Sequence, residues 1–204
     1  MAYSNFTFAK LKKDYNIEQK DVFLFNNIAI EHKEASQRLK DDLQEAKEIP
    51  LMTEKAKSEA IIYPIIKEIR RKNPQIGIFS GYALNIEGNK DLQGNPDFMI
   101  SAKAQKSSVE APIFCMVEAK NGVIEEGYAQ CAAEMYAARL FNQDMNEPYE
   151  TIYGAVTNAF DWVFLKLENK IVLIDRERYF LNDLPKILGI FQYIVDSIHA
   201  QQLA

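Results

Sequence analysis

Three ionisable residues, Asp97, Glu118 and Lys120, define the chemistry to look for in this chain. Asp97 opens a short apolar run, Phe98–Ile100. Glu118 closes a second run, Pro112–Val117, and Lys120 follows two residues later. Side chains alternate along a strand, so Met116, Glu118 and Lys120 share one face, and Cys115, Val117 and Ala119 share the other. Ionised groups at the end of a buried strand are costly unless they are paired or ligate a metal. An aspartate on one strand and Glu-x-Lys on its neighbour suit a hard divalent cation, Mg²⁺ or Mn²⁺, held beside a lysine.

The elements around these residues must bring them together. Residues 53–72 predict a helix, because Ile61, Ile62, Ile65, Ile66 and Ile69 form a broad apolar face for packing on a sheet. Pro64 removes a bond to the Ala60 carbonyl and predicts a bend in the first turns. Glu59, three before Ile62 and seven before Ile66, is expected along the buried face, either in water at the helix end or aimed at a site. Ile76–Glu87 predicts a strand bent at Gly77 or Gly81. The turn-rich Gly88–Asn95 then leads into a returning strand that begins at Pro96. Ser101–Ala111 predicts a polar loop, where Lys103 and Lys106 are solvated or meet phosphate.

A helix is predicted over about Glu125 to Phe141, with Ala129, Ala132, Ala133, Ala137 and Ala138 giving it a small-sided face. Gln130 lies among these alanines but also one turn from Glu126 and Glu134, so spacing leaves its face open. Thr151–Asn158, Trp162–Glu168 and Ile171–Asp175 predict a meander, and Leu184–Leu203 a final amphipathic helix with Asp183 as N-cap. Residues 1–50 are expected to form a helical appendage to a main domain at 51–204. Its charged helix, Glu31 to Glu48, bears only the narrow stripe Ala35, Leu39, Leu43, Ala46. Such a stripe either lies across the main domain or pairs with another helix, most simply in a homodimer.

Pro96-Asp97 followed by Glu118-Ala119-Lys120 resembles the PD-(D/E)xK signature of the restriction-endonuclease-like nuclease superfamily. The resemblance covers residues 53–175, in the order helix, three strands, helix, strands. It implies an α/β fold with a mixed central β-sheet flanked by helices. SEAIIYPIIKEI resembles the superfamily's helix before the sheet, where a glutamate commonly joins the metal cluster, and Glu59 is the matching position. Gln130 resembles the glutamine on the helix after E-x-K, with Tyr136 following it. Thr157-Asn158 before Trp162 is similar to the later strands.

On that resemblance the chain is a Mg²⁺-dependent nuclease hydrolysing phosphodiester bonds of DNA. Asp97 and Glu118 would bind the metal, with the Ala119 carbonyl as a further ligand, and Glu59 would join them or position water. Lys120 would orient the water or offset charge in the transition state, and Gln130 would support the water or the phosphate. The other reading is a catalytically inactive nuclease-like module serving DNA binding or protein assembly. Intact Asp97, Glu118 and Lys120 favour the enzyme.

Composition narrows the remaining classes. The 204 residues are 48% hydrophobic and 26% charged, the ordinary globular range, and no apolar run approaches a membrane span. Two cysteines form neither a disulfide framework nor a zinc spacing, and the first residues lack a signal peptide's apolar stretch, which points to the cytoplasm. The net charge of −5 weakens unaided binding to nucleic acid and favours a partner subunit. Lys67, Arg70, Arg71 and Lys72 are the one dense basic cluster, read as a phosphate patch or as a solvated helix end. His32 and His199 lie far from the acids, and no Walker or dinucleotide loop occurs.

Overall fold

A computed structural model describes residues 3–104 and 107–202. The amino-terminal part contributes α1 (Phe8–Tyr15), β1 (Glu18–Val22) and α2 (Gln37–Glu45). One continuous helical rod follows: α3 (Glu54–Lys57), a π-helical turn (Ser58–Ile62) and α4 (Tyr63–Lys72). Next come β2 (Gly77–Ser80), the short β3 (Leu84–Asn85) and β4 (Gln93–Gly94), then β5 (Phe98–Ser101) and β6 (Ile113–Ala119). After α5 (Tyr128–Asp144) the chain forms β7 (Thr151–Thr157), β8 (Asp161–Glu168), β9 (Ile171–Asp175) and β10 (Tyr179–Phe180), and ends in α6 (Leu184–Gln202).

The central sheet runs β1-β9-β8-β7-β6-β5-β2, with β10 beside β8. It is antiparallel except at β1–β9 and β6–β7. This is a mixed α/β architecture, a large, mostly antiparallel sheet flanked by helices. β6 lies inside the sheet and is buried along its whole length, so its charged residue, Glu118, is buried with it. The small side chains expected of α5 let it lie close on one face. A Cβ on Gly154 of β7 would stand 2.6 Å from Met135 Sδ and 2.8 Å from Cys131 Sγ. α6 covers the other face, where Phe191 meets Trp162 and Phe164 edge-on. α4 lies on that same side, with Tyr63 stacked on Phe98.

The pentad Ile61, Ile62, Ile65, Ile66 and Ile69 is buried as its spacing predicts. Among the described residues, no helix is long and apolar enough to cross a membrane. The expected strand Ile76–Glu87 breaks after Ser80, because Gly81 adopts a left-handed φ of 68°. The final helix begins at Leu184 as expected, and Leu203 lies outside the described residues.

The amino-terminal appendage is overturned. β1 is an edge strand of the central sheet, paired in parallel with β9 from Glu18↔Ile171 to Val22↔Asp175. Leu11, Ile17 and Leu39 are fully or almost fully buried in the common core. The boundary at residue 50 therefore separates no independent unit. Of the two expectations for the stripe, it lies across the rest of the domain, with Ala35, Leu39 and Ala46 buried and Leu43 packed against the core. Homodimerisation through this helix loses its physical basis.

Candidate active site

β5 and β6 pair antiparallel with Phe98 opposite Val117, and continuing that register brings Asp97 opposite Glu118. Asp97 Oδ2 accepts the backbone N–H of Ala119 at 2.8 Å, which fastens the loop before β5 to the end of β6. Beyond that end, the Lys120 N–H donates to the Thr157 carbonyl at 2.8 Å, so the parallel neighbour β7 fixes the lysine backbone. Lys120 Nζ donates to Glu118 Oε1 at 2.6 Å and to Gln130 Oε1 at 3.0 Å. Gln130 Nε2 in turn donates to Glu134 Oε1 at 3.1 Å. Because its amino group serves Glu134, the Gln130 carbonyl faces the lysine. Gly127 lets the start of α5 lie directly over this chain, since a Cβ there would stand 3.0 Å from Lys120 Cε and 2.6 Å from Val156 Cγ1.

The electrostatics of the cluster are unbalanced. Glu118 is 2% exposed. Burial, and then the charge of Asp97, push its carboxyl up to about 8 despite the adjacent ammonium of Lys120. Burial also raises Asp97, partly countered by the Ala119 N–H, and Glu54 adds to the rise. Glu134 is fully buried and driven well above the usual carboxylate range by burial and by Glu118. Burial would lower Lys120, but Glu118 outweighs it and the ammonium is held more firmly. Glu118 Oε2 and Glu134 Oε2 are buried without a hydrogen-bond partner. Three carboxylates around one ammonium, with an orphaned oxygen on Glu118 opposite Asp97, leave the site short of positive charge. A divalent cation between Asp97 and Glu118 fits that deficit.

The structure brings together Asp97, Glu118, Ala119, Lys120 and Gln130, as expected. It does not bring in Glu59. That side chain is 70% exposed and pairs with Lys55 at 3.9 Å, lining the cleft beside Asp97 without joining the hydrogen-bonded cluster. The π-helical turn at Ser58–Ile62 adds a wider turn just ahead of Pro64, and the regular spacing that put Glu59 on the buried face fails there. The acid on this rod that acts on Asp97, Glu118 and Lys120 is Glu54, in the first turn after the Thr53 cap. Glu134 was likewise missed, although it lies four residues after Gln130, one helical turn along the same face. Among the described residues, no three His, Cys, Asp or Glu side chains converge as a metal-binding group. A cation here would therefore rest on two carboxylates and a backbone carbonyl.

Lys103 pairs with Glu147, and Lys106 lies outside the described residues. Cys115 and Cys131 are buried free thiols, as expected of core residues. Asp97 opens into a cleft of about 530 Å³, lined also by Glu54, Ser58, Glu59, Tyr63 and Ala119 among others. No protein-family model, curated protein or solved structure matches this chain.

Proposed function

We propose that this chain is a metal-dependent phosphodiesterase acting on DNA, with a PD-(D/E)xK site on a restriction-endonuclease-like fold. One observation carries the reading. Half-buried Asp97 and buried Glu118 face each other on neighbouring strand ends, short of positive charge, with Lys120 beside Glu118 and an open cleft reaching Asp97 and Ala119. The order helix, three strands of the central sheet (β2, β5, β6), helix, strand from α3 to β7 supports it.

Asp97, Glu118 and the Ala119 carbonyl would hold Mg²⁺ or Mn²⁺. When bound, such a cation supplies Lewis acidity toward a phosphoryl oxygen and a lowered pKa for water. Lys120 presents an ammonium that can donate to charge developing on the phosphate. Gln130 holds that ammonium in place, and Glu134 fixes which end of the Gln130 amide faces it. Glu59 lies outside the hydrogen-bonded cluster but lines the same cleft as Asp97, where it would position water and not ligate the metal.

The Lys120–Glu118 contact at 2.6 Å is also what favours the second reading, an inactive nuclease-like module whose ion pair closes the site. Nicking of supercoiled plasmid, with and without Mg²⁺ or Mn²⁺, separates the two. Lys120→Ala is expected to lower turnover roughly 10²-fold or more, the scale for one oriented electrostatic group, while DNA affinity changes little. Cleavage that persists at the wild-type rate in Lys120→Ala would overturn the assignment. No cleavage by the wild type, with no metal bound, would favour the inactive module.

A further inference from the structure

The acid cleft does not end at Tyr63. That residue also lines a second groove, of about 380 Å³, whose other walls are Arg38, Lys67, Arg70, Arg71 and Ile78. Lys67, Arg70 and Arg71 share a face of α4 at spacings of three and four. Arg38 joins them from α2. Among the described residues, Arg38, Lys67 and Arg70 have no ion-pair partner. Arg71 is tied to Glu68 through one Nη at 3.2 Å, and its other Nη is buried, so it shapes the groove wall and is not a free cation. Three cations, Arg38, Lys67 and Arg70, left unneutralised on a chain of net charge −5 are a local feature, not a reflection of overall composition.

Tyr63 gives the groove a second recognition element. Its side chain is held by stacking on Phe98, with ring centroids 6.0 Å apart and planes 8° from parallel. Phe98 directly follows Asp97, so this ring stack leads from the acids outward. The tyrosine is nonetheless 39% exposed, and Lys67 Nζ lies 5.3 Å from its ring centroid. An aromatic surface and phosphate-binding cations are thus presented together. A third depression against Tyr63 bears three acids, Asp42, Glu45 and Glu59, against the single cation Lys67, which makes it the less favourable side for a polyanion.

We propose that this groove is the path by which a single-stranded polynucleotide reaches the acid cleft. Arg38, Lys67 and Arg70 hold its phosphates, and Tyr63 stacks one unpaired base. Base–aromatic stacking is tolerant of sequence because every base has a π-face. In a closed duplex those faces are already stacked on one another, so the shelf selects an unpaired or frayed strand. The inference rests on the phosphodiesterase reading and narrows its substrate to nucleic acid with unpaired bases.

Fluorescence anisotropy in EDTA, where no metal-dependent cleavage occurs, tests the path. The probes are one short mixed-sequence oligonucleotide as single-stranded DNA, as single-stranded RNA, and as blunt duplex DNA. Either single strand is expected to bind more tightly than the duplex. Tyr63→Ala should weaken that binding roughly five- to 150-fold, the range for one stacked base, while Tyr63→Phe keeps it. The triple variant Arg38→Ala, Lys67→Ala, Arg70→Ala should flatten the plot of log affinity against log salt by about 2, since each phosphate contact on a single strand contributes about 0.7. If the triple variant fails to fold, Arg70→Ala alone should flatten it by about 0.7. Unchanged binding in folded variants, tighter binding of the duplex, or no single-strand binding at low salt would each overturn the path. Single-strand binding with these dependences, but no cleavage in Mg²⁺ or Mn²⁺, would sink the phosphodiesterase and leave the groove standing. Metal-dependent cleavage indifferent to Tyr63 and the cations would do the reverse.

Discussion

Glu118 stores its instability in a charge it cannot comfortably carry, and that has a measurable consequence. Its pKa in the folded chain is raised from the ordinary 4.5 to about 8, by burial first and then by Asp97. A group raised on folding stabilises the native state fully below its unfolded pKa and loses that contribution as pH rises through the folded value. The metal-free protein should therefore lose stability between about pH 4.5 and about pH 8. Mg²⁺ or Mn²⁺ must displace the proton that Glu118 retains, so its stabilising effect should be larger at about pH 8 than at about pH 6. With metal about tenfold above Kd the gain is about 1.4 kcal/mol. Asp97→Asn removes the charge that repels Glu118, while its amide oxygen can still accept the Ala119 N–H. That variant should be at least as stable as the wild type without metal, and its melting temperature should not respond to Mn²⁺. An equal metal response in the two proteins would dismiss the site.

Elements are locked to one another by a few buried polar contacts, and Glu68 on α4 is the clearest. It is 1% exposed and accepts both the N–H and the hydroxyl of Ser36, at 3.0 and 2.8 Å. Ser36 is itself the N-cap of α2, accepting the Leu39 N–H. One carboxylate thus fixes the cap, the angle of α2 on α4, and the placement of Arg38 and Arg71 beside each other. Burial alone would raise Glu68, but the Ser36 bonds, then Arg71 and Lys72, outweigh it and hold the group below its ordinary range. A lowered group contributes stability above its unfolded pKa and loses it as pH falls, so acid should weaken this joint below about pH 4.5. Glu68→Ala should cost about 1–3 kcal/mol for the donors left unsatisfied, and Glu68→Gln less, by urea denaturation near neutrality. The same element shows what a sequence can and cannot convey. Apolar periodicity made α4 legible through its isoleucines, and strand alternation made Asp97, Glu118 and Lys120 legible, because both are local. The wide turn at Ser58–Ile62 was not, since Pro64 announces a missing bond but not how the backbone accommodates it, and Glu59 was misplaced as a result. β1 was illegible for another reason: EQKDV is polar on both faces and earns its place only through backbone bonds to β9. Glu54 and Glu134 join the site through tertiary packing that no local pattern carries.

At the scale of the whole molecule, residues 3–50 act as a belt around all layers of the fold. Tyr3 donates its hydroxyl to the Leu84 carbonyl at 2.6 Å and covers Gly94, where a Cβ would come within 2.8 Å of its ring. Tyr15 meets Tyr136 of α5 edge-on at 5.4 Å. β1 then closes the β9 edge, Phe25 packs on Phe164 across the other face, and the Glu31 carbonyl lies against α6 where a Cβ on Gly189 would approach to 2.3 Å. α2 finishes the circuit on α4. The belt therefore supports α5, which holds Gln130 and Glu134, and α4, which holds Tyr63, as well as supplying Arg38. A chain beginning at Leu51 would expose the β9 edge and the apolar surface now covered by Leu11, Ile17 and Leu39. Exposed edges of that kind invite pairing with other chains. Such a chain should be aggregation-prone, or compact with far-UV but little near-UV circular dichroism. In the full chain, Leu39→Ala should cost about 2–5 kcal/mol as a buried truncation, Leu43→Ala should cost less, and neither should change the association state seen by light scattering. A cooperative, near-wild-type melt from the chain beginning at Leu51 would show that the belt is dispensable. Dissociation of a dimer by Leu39→Ala would instead return α2 to the role of an intermolecular surface. The burial of Leu39 inside its own chain argues against that outcome.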